Sequence, residues 1–322
     1  PERLASEGTC LSGYVMMLCG GSTVHAETFS ELFCPYSLCF SKMGCSGSKA
    51  NDAESATATA MAEPVEPKAI TAARPETGAT INISYIVPKD KADEVKAVLM
   101  KHANFMEQFY ANSTEHLISC YFTHAPLFNE PIDPSKGETD LVVFGIHEEF
   151  TGDASVARHI ETAKENAYFP EFGKVLTDYG KVVSPLGKAF FKIASARVVG
   201  DRPETGATIN ISYIVPKDKA DDVQAVLMKH ANFMEQFYAN STEHLISCYF
   251  THAPLFNEPI DPSKGETDLV VFGIHEEFTG DASVARHIET AKENAYFPEF
   301  GKVLTDYGKV VSPLGKIYFK IR

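Results

Sequence analysis

Two hydrophobic periods alternate along most of this chain. From Thr80 to Val87 apolar residues fall at every second position: Ile81, Ile83, Tyr85 and Val87 share one side, Thr80, Asn82, Ser84 and Ile86 the other. A period of two predicts a strand with one dry face and one mixed face, and Pro88 stops it. From Ala92 to Ala111 the period changes, and Val95, Val98, Leu99, His102, Phe105, Met106 and Phe109 recur at helical spacing. His116 to His124 is dense in aromatic and apolar residues and predicts a second strand. A proline-containing loop, Ala125 to Thr139, leads to a third strand over Asp140 to Glu149. Asp153 is a plausible N-cap for a helix striped by Val156, Ile160 and Ala163. Pro170 starts another, with Phe169, Phe172, Val175, Leu176 and Tyr179 on its stripe and Gly180 at its end. Lys188 to Ile193 predicts a short last strand.

The order βαββαβ is that of a ferredoxin-like domain, an α+β arrangement whose antiparallel sheet carries helices on one face. Residues 75–193 then recur at 203–321, differing only at Glu94/Asp222, Lys96/Gln224, Ala189/Ile317 and Phe190/Tyr318. So long a period means two whole domains, not turns of a solenoid. They are assigned to 74–193 and 207–322, joined by a linker over 194–206. In the third strand Leu141, Val143, Gly145 and His147 lie opposite the helix-facing Val142, Phe144 and Ile146. Apolar residues on the bare face predict that the other copy's sheet covers them. The chain is therefore read as tandem ferredoxin-like domains pairing intramolecularly into one α/β barrel with room inside.

Composition narrows the function. A net charge of −14 argues against a nucleic-acid surface. Five of the seven cysteines (Cys10, Cys19, Cys34, Cys39 and Cys45) precede residue 46, and each repeat holds one, Cys120 or Cys248, in an apolar run. That pattern gives no disulfide framework and fits a reducing, cytoplasmic compartment. Residues 1–73 read as leader and tether. Met43-Gly44-Cys45-Ser46-Gly47-Ser48 matches an N-myristoylation pattern with an adjacent cysteine. Met43 is accordingly expected to be the true start, with myristate on Gly44, palmitate on Cys45 and peripheral membrane attachment, since two acyl chains anchor stably where one does not. An organelle-targeting role for the leader is the alternative.

Val143-Phe144-Gly145-Ile146-His147-Glu148-Glu149-Phe150, followed by Ala154-Ser155-Val156-Ala157-Arg158-His159-Ile160 and Phe169, resembles the antibiotic biosynthesis monooxygenase domain of the dimeric α/β-barrel superfamily. The resemblance covers nearly all of each repeat. It implies a small-molecule-binding protein and, within the family, a cofactor-independent monooxygenase acting on an aromatic or enolisable substrate. The chain departs from the family at Gly145, where a Glu is usual, and at His147, where an aromatic residue is usual. The chain has no Trp, so members that use a pocket Trp, the haem-degrading ones included, find no counterpart here. By position the resemblance implies His159 and His287 as pocket residues, and Asn82 and Asn210 as first-strand pocket residues.

On the mixed face, where a barrel cavity would lie, His147 and His275 are the expected general bases, because an imidazole suits proton transfer near neutrality. Asn82 and Asn210 are expected to stabilise an oxyanion, and Tyr121 and Tyr249 to stack on an aromatic ligand. His116 and His124 are too far apart on one strand to share a metal, and no other His/Asp/Glu group has ligand spacing in sequence, so no metal and no cofactor are expected. The contrasting reading is a non-catalytic ligand-binding or stress-response module, held at a membrane by the acyl motif. An open pocket beside Asn82, His147 and Tyr121 favours the enzyme, and an interior filled by Leu141, Val143 and Phe122 favours the module.

Overall fold

The structure, a computed structural model, describes residues 78–110, 116–194, 206–238, 244–259 and 261–321. The leader and tether, Met43, Gly44, Cys45 and linker residues 195–205 lie outside the described residues. The first copy comprises β1 (Ala79–Pro88), α1 (Ala92–Tyr110), β2 (Leu117–Phe128), β3 (Glu138–Phe150), α2 (Asp153–Lys164), α3 (Phe169–Tyr179) and β4 (Gly180–Ala194). The second comprises β5 (Ala207–Pro216), α4 (Ala220–Tyr238), β6 (Leu245–Phe256), β7 (Glu266–Phe278), α5 (Asp281–Lys292), α6 (Phe297–Tyr307) and β8 (Gly308–Ile321).

Period-two patterning places β1 and β3 as expected, while β2 runs past the expected end at His124 to Phe128, into the predicted loop. Ile81, Ile83, Tyr85 and Val87 of β1 pack beneath the helices with Val95, Leu99, Met106 and Phe172. The opposite faces turn inward, and the eight strands close into one antiparallel barrel in the order β1-β3-β2-β8-β5-β7-β6-β4. The tandem ferredoxin-like domains thus pair within the chain.

Closure depends on strand exchange. The predicted final strand, Lys188 to Ile193, is only the second half of β4, which begins at Gly180. Its first half pairs with β1 of its own copy, Ile83 opposite Val183. Its second half pairs with β6 of the other copy, Lys192 opposite Tyr249. The strand β8 mirrors it, pairing with β5 and then with β2, where Phe319 lies opposite Phe122. Between the halves Leu186 takes a left-handed φ of 58°, next to Pro185 and Gly187. Proline removes a ladder donor, and a positive φ is uncommon for leucine, so this kink breaks the periodic signal in the sequence.

The exchange mixes the cores. Tyr318, Phe319 and Ile321 of the second copy complete the core under the first copy's helices. Phe190, Phe191, Ile193 and Ile132 of the first copy complete the second. Three of the four sequence differences fall at these crossings. The Lys96 ammonium lies 5.1 Å from the Tyr318 ring centre, and the corresponding positions on the other side are Gln224 and Phe190.

Candidate functional site

The inward-facing candidates meet their own counterparts. His147 is 1% exposed. Its ring stacks on Tyr121 at 4.7 Å and meets His275 edge-on at 4.8 Å. Nδ1–H of His147 donates to Oδ1 of Asn82 at 3.2 Å, and Nδ2 of Asn82 donates to Oγ1 of Thr80 at 3.1 Å. The second copy repeats this with His275, Asn210 and Tyr249. The Tyr121 and Tyr249 hydroxyls interact with each other. Ser84 and Ser212 meet at 3.2 Å, and Val143, Val182, Val271 and Val310 form a further apolar layer.

The room expected inside the barrel is therefore occupied by side chains of both copies. Burial pushes the pKa of His147 down to about 3 and that of His275 well below the ordinary value, where the charge of His147 adds to the effect. Gly145 has a packing reason here. A Cβ at that position would come 2.5 Å from Nε2 of His147 and 2.6 Å from Oγ1 of Thr123. Glycine lets the imidazole fold back over the strand.

His159 lies elsewhere, on the far side of the sheet. It faces inward from α2 and joins two residues that sequence reasoning passed over as candidates. The Glu148 side chain, next to His147 on β3, points toward the helices and is 1% exposed. His102 projects from the buried face of α1. Nε2 of His102 is 3.0 Å from Oε1 of Glu148, and Nε2 of His159 is 3.6 Å from Oε2. Behind each imidazole stands a phenol: the Tyr168 hydroxyl is 2.7 Å from Nδ1 of His102, and the Tyr110 hydroxyl 3.2 Å from Nδ1 of His159. The result is a buried chain, Tyr168–His102–Glu148–His159–Tyr110. Tyr296–His230–Glu276–His287–Tyr238 repeats it in the second copy.

The electrostatics are coherent. Burial alone would push the Glu148 carboxyl up. The charge of His159, with the hydrogen bond and charge of His102, outweighs burial and holds it below the usual range. Burial pushes His159 down to about 4 against the pull of Glu148. Burial, reinforced by the Glu148 charge, holds both phenols well above the usual range. Near neutrality the carboxylate is charged and the phenols keep their protons. Each imidazole turns Nε2 toward the carboxylate and Nδ1 toward a phenol.

In the second copy a cavity of about 30 Å³ adjoins this cluster, bordered by His230, Glu276, His287, Tyr296 and Phe300, with Ile132 of the first copy at its rim. The ligand atoms of His102, Glu148 and His159 lie within 4.8 Å of one another, as do those of His230, Glu276 and His287. Sequence spacing gave no hint of these groups because their members come from three separate elements. One signal was available: a histidine on the apolar stripe of α1 and a glutamate on the dry side of β3 both need a buried polar partner.

No protein-family model matches the chain, and no curated protein matches it. Among solved structures, a candidate monooxygenase from Fusobacterium nucleatum subsp. nucleatum is similar over 75% of this chain and 98% of its own, at 11% identity and a TM-score of 0.41. A second candidate monooxygenase, from Lactobacillus acidophilus, is similar over 77% of this chain and 95% of its own, at 12% identity and a TM-score of 0.39. An aldoxime dehydratase covers 76% of this chain and 86% of its own, at 10% identity and a TM-score of 0.25. Likeness at this level assigns no activity to this chain. No helix among the described residues is long and apolar enough to cross a membrane.

Proposed function

We propose that this chain is a small-molecule-binding protein that carries out monooxygenase chemistry on an aromatic or enolisable substrate, without an organic cofactor. The working centres are the buried clusters around Glu148 and Glu276, between sheet and helices. The observation that carries this reading is a carboxylate with both oxygens facing histidine Nε2 atoms, built identically in both copies and adjoining a cavity in the second. Buried ionisable groups are costly and concentrate at functional sites. Glu148 presents lone pairs to a substrate proton, and the Tyr110 and Tyr168 hydroxyls hold the two imidazoles in place through Nδ1. His147 and Asn82 are enclosed in the barrel and serve this reading as the packed floor beneath Glu148.

Oxygen uptake with a panel of phenols, quinols and β-dicarbonyl compounds tests the proposal. The Glu148→Gln/Glu276→Gln double variant is expected to lose roughly 10²-fold or more, and His147→Ala/His275→Ala, if folded, far less. Absence of uptake with every compound, or an unchanged rate in the glutamine variant, refutes it.

The non-catalytic ligand-binding reading draws on the filled barrel interior, where Val143 packs with Val182, Val271 and Val310, and on the tightness of the cavity, about 30 Å³, against roughly 150 Å³ for an engineered cavity that admits benzene. It predicts saturable binding of such compounds with no oxygen consumed. Attachment to a membrane through acylated Gly44 and Cys45 remains part of the proposal, and a native peptide spanning Lys42–Met43 would overturn it.

A further inference from the structure

The two triads have the composition of a metal centre. We propose that His102, Glu148 and His159 bind one divalent first-row transition-metal ion, with ferrous iron the ion the donor set suits, and that His230, Glu276 and His287 bind a second.

Four observations converge on this. First, the donors are two imidazoles and one carboxylate, a set that with open positions favours ferrous iron among biological metals. Oxygen-seeking magnesium and calcium are disfavoured. Second, both Nε2 atoms turn toward the same carboxylate, and the donor atoms of each triad already lie within 4.8 Å of one another. Third, each Nδ1 has a phenol oxygen within hydrogen-bond reach, at 2.7 and 3.2 Å. When a metal takes the Nε2 lone pair the proton resides on Nδ1, and Tyr168 and Tyr110 are placed to accept it, as outer partners of metal-bound histidines do.

The fourth observation is an unmet need. Glu276 is 1% exposed, and its Oε2 is buried without a hydrogen-bond partner. Among the described residues neither Glu148 nor Glu276 forms an ion pair with lysine or arginine; only histidines approach them. A buried carboxylate facing no permanent cation is costly, and a bound dication supplies the missing charge. The adjoining cavity of about 30 Å³ exceeds the 10–15 Å³ or so that one water needs. An ion here would therefore keep coordination positions open to water or a small ligand.

This inference shares its site with the proposed oxygenase chemistry but does not depend on turnover. The full chain is stripped with a chelator, then dialysed anaerobically against ferrous iron and, separately, against cobalt(II). Bound metal is measured by elemental analysis and cobalt also by its visible absorption. About two ions per chain are expected, one for each triad. His102→Ala should retain about one, and Glu148→Gln/Glu276→Gln should lose both or bind at least 100-fold more weakly. Circular dichroism identifies the folded variants. The glutamine pair preserves side-chain shape, so it remains informative if the alanine variant fails to fold.

Tyr168→Phe/Tyr296→Phe should keep the stoichiometry and weaken affinity about 10- to 100-fold. Fewer than about 0.2 ions per chain in the wild type at tens of micromolar metal overturns the proposal. So does an undiminished two ions in the folded glutamine variant, which would place the metal elsewhere, for instance on the cysteines before residue 46. Two triad-dependent ions without oxygen uptake would support the metal sites and refute only the oxygenase reading.

Discussion

Phe191 and Phe319 test whether the two copies form one cooperative unit. Each belongs by sequence to one copy and packs in the core of the other: Phe319 lies 5.0 Å from the ring of Phe122, and Phe191 5.0 Å from that of Phe250. Truncating a fully buried phenylalanine to alanine costs about 3–5 kcal/mol. Both rings are only partly buried, so roughly half of that, about 2 kcal/mol each, is expected. β4 and β8 stand four places apart in the ring of eight strands, so the two losses should nearly add, to about 4 kcal/mol in the double variant. Equilibrium unfolding in urea, followed by circular dichroism and by tyrosine fluorescence, reads this out. Phe319→Ala should lower the midpoint of a single transition seen by both probes. If Phe319→Ala splits the curve and leaves one copy at its original midpoint, or if either single variant costs under about 0.5 kcal/mol, the exchanged strands do not couple the copies as described.

Other expectations follow from the barrel interior. Gly145→Ala should destabilise by about 1–3 kcal/mol through overpacking, and adding His147→Ala should recover part of the loss in the same melts; a neutral Gly145→Ala would show that the imidazole is not held over the strand. Ser84→Ala alone should cost more than the Ser84→Ala/Ser212→Ala pair does per site, since a single change leaves one buried hydroxyl without its partner; a double-mutant cycle without coupling contradicts the 3.2 Å contact. Acid should weaken the fold before the carboxylates titrate. His147, at about 3, binds its proton far less readily folded than unfolded, so its contribution is intact above the unfolded value near 6.5 and is lost as pH falls below it, on the order of 2 kcal/mol by pH 5. His147→Gln/His275→Gln should reduce the slope of the stability profile between pH 6.5 and 4.5 (roughly the range between unfolded and depressed values), with His159 and His287 supplying the slope that is left, and an unchanged slope would refute this origin.

Much of the architecture was legible because it follows from periodicity. Alternation in β1 and β3 assigned both faces correctly, and apolar residues on the face away from the helices required a second sheet. The length of β4 was not legible. Its pairing partner changes midway, and Pro185 and Leu186 interrupt the pattern where the change occurs. The helix-side cluster was legible only in part. His159 was noticed, but Glu148 was passed over beside His147, although adjacent residues on a strand face opposite sides. His102 read as one more member of a hydrophobic stripe. A strand period tells which way a side chain points, but it cannot tell which distant histidine waits there.

Strand exchange between copies joined in one polypeptide has a genetic corollary. In a barrel assembled from two identical chains, every change appears at both symmetry-related places, and closure weakens on dilution. Here closure is intramolecular and insensitive to dilution, and each station evolves alone. Lys96 beneath Tyr318, against Gln224 and Phe190 across the barrel, shows that this freedom has already been used. One triad can drift toward a new ligand while its twin keeps the old one.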